Sequence, residues 1–238
     1  MLFGCKGTKI YLYFSAFQLS ISDIQIKFVN FAVIIEVSAS SSRKMKMVNH
    51  NVNHKTIELI NSLKNKEKIR ILLVCLGNIC RSTAAEAVML DVANKAGQSR
   101  RWVVDSAGTG NYHIGDLADP RMREHAGRRG LRLLHRARQV RVADFDDFDL
   151  IIPMDNSNLR NLRRLAPTVE AEAKLVPMAA FIPGGEFAPE VTPQQRLTDP
   201  LVGYDYVPDP YYEGADGFEL VLDLLQAGCA NLLHTLTP

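Results

Sequence analysis

The sequence predicts an α/β fold: a central four-stranded parallel sheet flanked by helices in three layers. Three observations point to it. Short apolar runs recur without polar alternation, each run is followed by a stretch of helical period, and Gly, Pro, Asn and Asp punctuate the junctions. Strands that alternate with helices in this way build parallel sheets covered on both faces.

In chain order, residues 43–68 are polar, and there the run from Lys55 to Lys64 predicts a short helix, with Ile57, Leu59, Ile60 and Leu63 at helical spacing. Ile71 to Cys75 (ILLVC) reads as a strand buried on both faces. Residues 82–97 read as a helix stopped at Gly97. Thr83 and Glu86 stand at capping-box spacing and place its start at Ser82 or Thr83. Residues 101–110 (RWVVDSAGTG) are a second strand running into a glycine-rich turn. A helix follows from Asp119-Pro120 to Gly130. Residues 148–155 (FDLIIPMD) are a third strand, succeeded by a helix that Pro167 ends, and residues 173–178 (AKLVPM) are the fourth strand. Residues 179–214, rich in Pro and Gly, read as a long loop. Residues 216–233 form an amphipathic helix with Phe218, Val221, Leu222, Leu225, Cys229 and Leu232 on one face. No internal repeat is visible.

Composition narrows the class. The chain has 238 residues, 47% hydrophobic and 23% charged, as in soluble globular proteins. A net charge of +2 implies neither nucleic acid nor membrane as partner, and no apolar run reaches the length of a membrane span. The charge is unevenly placed, however. Residues 1–68 hold ten basic and four acidic residues, while residues 69–238 hold 18 and 22, with arginine replacing lysine. That switch sets a boundary near Lys68: residues 1–68 are an N-terminal extension, a targeting segment or disordered, and residues 69–238 a globular domain. Residues 1–42 are acid-poor and end near a serine cluster. They read as a non-functional extension, with Met45 or Met47 as alternative starts, or as an organelle (plastid or mitochondrion) or secretory presequence. Otherwise the expected location is the cytoplasm. The four cysteines, Cys5, Cys75, Cys80 and Cys229, form no secreted disulfide pattern. No CxxC or HExxH spacing implies a metal or other cofactor.

The chemistry is concentrated between Cys75 and Arg81. A strand delivers the chain to Cys75 and a helix starts near Ser82, so the residues between must curl tightly, with backbone N–H groups turned inward at a helix N-terminus. That is a cradle for an anion. Gly77 and Asn78 tolerate the left-handed angles such a curl requires. Arg81 adds a planar fork for two phosphate oxygens. Amides, helix dipole and guanidinium all favour the thiolate of Cys75, which makes it a nucleophile at the floor of a phosphate-binding loop. Asp105, Ser106 and Asp155 lie at the carboxyl ends of other strands, where ligands bind in open α/β sheets.

The run VCLGNICRSTAAEA resembles the signature of the low-molecular-weight protein tyrosine phosphatases, and DSAGTGNYHIGDLADPRM, RARQV, FDLIIPMDNSNLRNLRRLAP, DPYY and GFELVLDLL resemble that family in the same order, from about Arg70 to Leu233. The resemblance implies a phosphatase acting on phosphotyrosine proteins or small aryl phosphates, mostly monomeric and without a cofactor, stable membrane association or nucleic acid. It implies roles position by position. Cys75 becomes a phosphocysteine, Arg81 clamps the phosphoryl oxygens, and Ser82 bonds the thiolate. Asn78 holds the loop, propped by Ser106 and His135. Cys80 can form a disulfide with Cys75 on oxidation. The proton donor is the aspartate of an Asp-Pro pair. Asp209, followed by Tyr211-Tyr212 and the last helix, fits better than Asp199. Leu76, Ile79, Tyr112, Tyr211 and Tyr212 are the walls of a slot for a phenyl ring, and Tyr211 and Tyr212 are themselves candidates for phosphorylation. Thr83 stands where the family usually has proline, and there it can cap the helix. Arsenate reductase and protein-arginine phosphatase share the fold. Cys229 alone is left in the domain for a disulfide relay, and the bulk of Ile79 favours an aryl ring. A binding module without catalysis is the remaining alternative, against which Cys75, Arg81 and Asp209 argue.

Elsewhere the bland reading leads. Asp155 is chiefly a helix cap. His113 and His125 are expected at the surface, the arginines 128, 129, 132, 136, 138 and 141 on a solvated face, and Cys229 in the core.

Overall fold

The computed structural model describes residues 24–29, 32–37 and 54–238. The chain divides into two compact units, Met1–Met47 and Val48–Pro238. In the first, β1 (Ile24–Val29) pairs antiparallel with β2 (Ala32–Val37), Ile24 opposite Val37. Apart from these strands, the presequence reading of residues 1–42 and the alternative starts at Met45 and Met47 lie outside the described residues.

The second unit begins with α1 (His54–Leu63) and continues through β3 (Ile69–Cys75), α2 (Arg81–Lys95) and β4 (Trp102–Gly108). It goes on with α3 (Pro120–Arg128), α4 (Asp144–Asp147), β5 (Leu150–Pro153), α5 (Asn156–Leu165) and α6 (Val169–Ala173), and ends with α7 (Pro193–Thr198) and α8 (Ala215–Leu236). Strand β3 is central, parallel to β4 on one side and β5 on the other. Its side chains alternate between two cores. Ile69, Ile71, Leu73 and Cys75 pack with α1, α2, α3 and α8. Leu72 and Val74 pack with α4, α5 and α6. Helices thus cover both faces, and Ile71 through Val74 are wholly buried.

The described sheet has three strands, not the expected four. Residues 173–178 do run alongside β5, but only Leu175 makes a bridge, parallel to Ile151. Two hydrogen bonds, from Ile151 N to Lys174 O and from Val176 N to Ile151 O, exhaust the pairing. Helix α6 occupies the chain up to Ala173, and Pro177 has no N–H to extend a ladder before the 3₁₀ turn Met178–Ala180 begins. The loop expected over 179–214 contains α7, closed by a Thr192–Gln195 capping box, and a 3₁₀ turn, Pro210–Tyr212.

Two expectations near the helices are corrected. Thr83 and Glu86 form no capping box. Helix α2 starts at Arg81 with Cys80 as its N-cap and no side-chain cap. Thr83 Oγ1 donates to Cys80 O instead, and Glu86 turns away toward Ser106. Likewise His125 is buried, its ring stacked on Phe218 and its Nδ1 2.5 Å from Glu219 Oε1. The arginine group is not one solvated face either: Arg129 pairs with Glu219 and Asp223, and Arg138 with Asp105 and Asp144. Cys229 lies in the core, its thiol pushed up to about 12 by burial.

Helix α1 precedes the compositional boundary at Lys68, yet Ile60 and Leu63 are core residues of the second unit and Thr56 Oγ1 donates to Ala173 O. Its exposed Ile57 makes a built-in control. Leu63→Ala is expected to lower unfolding free energy by about 2–4 kcal/mol in denaturant titration, and Ile57→Ala by less than about 0.5 kcal/mol.

Candidate active site

The carboxyl end of β3 delivers Cys75 to a loop that closes on α2. Gly108, at the end of β4, lets that loop approach: a Cβ there would stand 2.7 Å from Leu76 O. Gly110 and Thr109 then donate to Leu76 O and Cys75 O. Asn78 is the one non-glycine residue at positive φ, 56°, among the described residues. Its N–H points at Cys75 Sγ, 3.3 Å away. The N–H groups of Gly77, Ile79 and Cys80 have no acceptor among the described residues, so the curl carries free donors at the start of α2.

The Asn78 side chain is buried and fully engaged. Its Nδ2 donates to Ser82 Oγ and Ser106 Oγ, both at 2.9 Å. Its Oδ1 accepts from Arg138 N at 2.9 Å and faces His135 Nε2 at 3.1 Å. Because a backbone N–H can only donate, this arrangement fixes Oδ1 as the acceptor and puts the proton of His135 on Nε2. Ser82 Oγ, having accepted from Asn78, has its hydrogen free for Cys75 Sγ, 3.1 Å away. Ser106 passes its own hydrogen to Glu86 Oε2 at 2.6 Å.

Glu86 is a residue that the sequence reading did not place in the site, and Asp105 one that it placed only at a strand end. Glu86 Oε2 and Asp105 Oδ1 lie 3.3 and 3.5 Å from His135 Nδ1. Burial pushes the Glu86 carboxyl up to about 7; Ser106 and Arg138 pull it down, and the Asp105 charge adds to the rise. Burial also holds His135 below its ordinary value, against the pull of Asp105.

Arg81 is 3% exposed and held by two carboxylates. Nη1 donates to Asp155 Oδ2 at 2.6 Å and to Val207 O at 3.1 Å. Nη2 donates to Asp209 Oδ2 at 2.5 Å. Asp155 caps α5 with its other oxygen, which accepts from Asn158 N, so it does both jobs at once. Val207, wholly buried, donates to Met154 O just beyond β5 and thereby pins the chain two residues before Asp209. Asp199 caps α7 and accepts from Leu201 N, away from Arg81.

A cleft of about 370 Å³ opens over this loop, lined by Cys75, Leu76, Gly77, Ile79, Cys80, Arg81, Tyr112, His113, Asp209, Tyr211 and Tyr212. Tyr112 leans on Gly110, and Tyr211 and Tyr212 meet edge to face with centroids 5.0 Å apart. His113, expected at the surface, is a cleft residue over Gly77, tethered to Asp116 at 3.1 Å. Cys75 and Cys80 are both free thiols. Burial pushes the Cys80 thiol well above the ordinary range, and the charges of Asp119, Cys75 and Asp209 reinforce this.

The raised Glu86 carboxyl makes stability pH-dependent. Its contribution is complete below the unfolded value near 4.5 and is lost as pH rises through about 7. Glu86→Gln cannot ionise, so between pH 5 and 8 the parent should lose up to about 3 kcal/mol relative to the variant in denaturant unfolding.

Residues 70–238 match the family described as low molecular weight phosphotyrosine protein phosphatase. A Schizosaccharomyces pombe protein named low molecular weight phosphotyrosine protein phosphatase is 42% identical over 154 residues, 64% of this chain and 86% of its own. A human protein of the same name is 38% identical over 165 residues, 69% of this chain and 93% of its own. The crystal structure of a protein tyrosine phosphatase from Entamoeba histolytica superposes with a TM-score of 0.60 at 38% identity, over 70% of this chain and 96% of that one. Among the described residues, no helix is long and apolar enough to cross a membrane. The signature loop, the order of elements and these matches agree, and the chain belongs to the low molecular weight phosphotyrosine protein phosphatase family.

Proposed function

We propose that this protein hydrolyses phosphotyrosine in proteins, and small aryl phosphates, through a phosphocysteine intermediate. The observation that carries the reading is the convergence of Cys75, Arg81 and Asp209 on one cleft whose floor is a loop of free N–H donors. The Cys75 thiolate attacks phosphorus as the bond to the tyrosine oxygen breaks. Asp209 delivers a proton to that oxygen. Water, giving its proton to Asp209, then attacks the phosphocysteine, and phosphate leaves with Cys75 restored.

Arg81 and the loop amides hold the charge that develops on the equatorial oxygens. The ion pair between Arg81 and Asp209 fits this sequence of events. A phosphate dianion competes for the guanidinium fork and frees Asp209 to carry the leaving-group proton. Ser82 steadies the thiolate, and Asn78, with Ser106 and His135 behind it, keeps the loop curled. Leu76, Ile79, Tyr112, Tyr211 and Tyr212 form the slot for the ring, whose depth puts a shorter phosphoserine out of reach of Cys75. Every residue in these roles lies within 69–238, the segment we read as the catalytic domain. We take it to work as a monomer in the cytoplasm, or in an organelle if residues 1–42 serve as a presequence.

Cys80 is the proposed guard of Cys75. Once peroxide has converted Cys75 to a sulfenic acid, the Cys80 sulfur displaces water and forms a disulfide that a thiol reverses. The raised Cys80 thiol keeps it protonated, and so a poor target for peroxide itself.

Purified protein is expected to turn over p-nitrophenyl phosphate, and Cys75→Ser to abolish it. Asp209→Ala should slow the step that forms phosphocysteine about 10²–10⁴-fold, with Asp199→Ala unchanged. Loss at Asp199 instead would reassign the acid. In a substrate panel, phosphotyrosine peptide should far exceed phosphoarginine and arsenate. After peroxide and then thiol, the parent should recover fully and Cys80→Ser should not. Equal recovery would remove the guard role.

A further inference from the structure

Arg121 belongs to no step above, yet it touches the wall of the cleft. It sits in the first turn of α3, where Asp119 holds it closely: Oδ1 accepts from Arg121 N and Nε at 2.8 and 3.1 Å, and Oδ2 accepts from Nη2 at 2.8 Å. One edge of the guanidinium is therefore fixed by a mostly buried carboxylate. The free corner, Nη1, donates to Tyr211 O at 3.1 Å. The guanidinium also lies over two rings, with its side chain still about half exposed. Arg121 Cζ lies 5.2 Å from the ring centroid of Tyr211 and 5.0 Å from that of Phe218. Phe218 in turn lies against His125, with centroids 5.4 Å apart and planes 13° from parallel.

The result is a chain of contacts from Tyr211 through Arg121 and Phe218 to His125. It runs from the mouth of the cleft into the packing of α3 against α8. Tyr211 sits in a 3₁₀ turn of three residues and has few other anchors: its N–H goes to Asp209 Oδ1 at 3.2 Å, and its carbonyl goes to Arg121. A short turn at the surface does not hold an aromatic wall by itself.

We propose that Arg121 is a positioning residue that sets the Tyr211 wall, and so the fit of substrates that carry an aromatic ring next to the phosphate. The inference rests on the phosphatase reading above. It requires the planar, forked guanidinium rather than positive charge alone, because a lysine cannot clamp Asp119 on one edge and at the same time reach the Tyr211 carbonyl from the other.

Arg121→Lys tests it, since the charge that attracts anions is kept. The expected result is a KM for p-nitrophenyl phosphate raised about fivefold to twentyfold, with kcat within about twofold. The inhibition constant of inorganic phosphate, which has no ring, should stay within about twofold of the parent. In a Tyr211→Ala background, Arg121→Lys should add nothing further to KM, because its effect passes through that ring. A rise in the phosphate inhibition constant that parallels KM, an unchanged KM, or a full effect persisting without Tyr211 would each overturn the proposal. Should Arg121→Lys fail to fold, Phe218→Leu decides the matter: it removes only the ring of Phe218 beneath the Arg121 contact and should raise KM with the phosphate constant unchanged. Parent protein that neither turns over p-nitrophenyl phosphate nor binds phosphate would instead sink the phosphatase reading itself.

Discussion

Holding a residue with a side chain at φ 56° costs on the order of 1 kcal/mol, and it persists only where the surroundings demand it. At Asn78 they do. Four side-chain hydrogen bonds, each contributing on the order of 1 kcal/mol, more than offset the strain. What hangs on this one conformation is the direction of the loop. It brings the Asn78 N–H to Cys75 Sγ, and through the same side chain it turns the Ser82 hydroxyl to the sulfur. The anchor is spread over the fold. Ser106 comes from β4, His135 and the Arg138 N–H from the segment beside it, and Glu86 from the second turn of α2. The loop is thus shaped before any ligand arrives, which is the condition for its amides to favour developing charge without reorganising.

A buried guanidinium is the second constraint. Arg81 is nearly inaccessible, so its charge must be met inside the protein, and Asp155, Asp209 and the Val207 carbonyl meet it. Asp155 is locked by its duty as helix cap and stays put. The Asp209 side chain accepts only from its own short turn besides Arg81 and is about twice as exposed as that of Asp155. Of the two carboxylates, Asp209 is therefore the one less firmly held, as the mechanism proposed above requires. The inequality between them is a matter of packing, and it fits the proton-carrying role proposed for Asp209.

Local patterns were legible in the sequence, and long-range ones were not. Cys75, Gly77, Asn78 and Arg81 could be placed because strand, curl and helix follow one another within a few residues. Asp209 was assigned through the family resemblance, on the Asp-Pro pair with two tyrosines and the last helix after it. Glu86 was misread because its spacing from Thr83 fits a cap equally well, and only the sheet brings Ser106 within its reach. Asp105 and Arg138 are 33 residues apart and pair through β4. His125 looked like a surface residue because its partner, Glu219, is 94 residues away. The missing fourth strand has the composition of one, but Pro177 stops its ladder after two hydrogen bonds. Helix α1 lies inside the lysine-rich stretch that ends at Lys68 yet buries Ile60 and Leu63 in the core, so charge put the boundary after it and packing puts it before.

The segment ahead of Asp209 raises a last question: how can a long loop deliver one carboxylate accurately? Doubling a loop's length adds only about 0.6 kcal/mol of closure entropy, so extra residues are tolerated provided the ends are fixed. They are fixed here. At the near end Ala180 and Ile182 are buried in the core, with Phe187 donating to Ala180 O. At the far end Val207 is buried and bonded to Met154, one residue past the carboxyl end of β5. Between them α7 buries none of its residues and closes on its own capping box. The reach from Val207 to Asp209 is two residues, and it starts from the same sheet end that carries Asp155. Accuracy at Asp209 therefore comes from the strand, and the length of the loop behind it is immaterial to the geometry at Arg81.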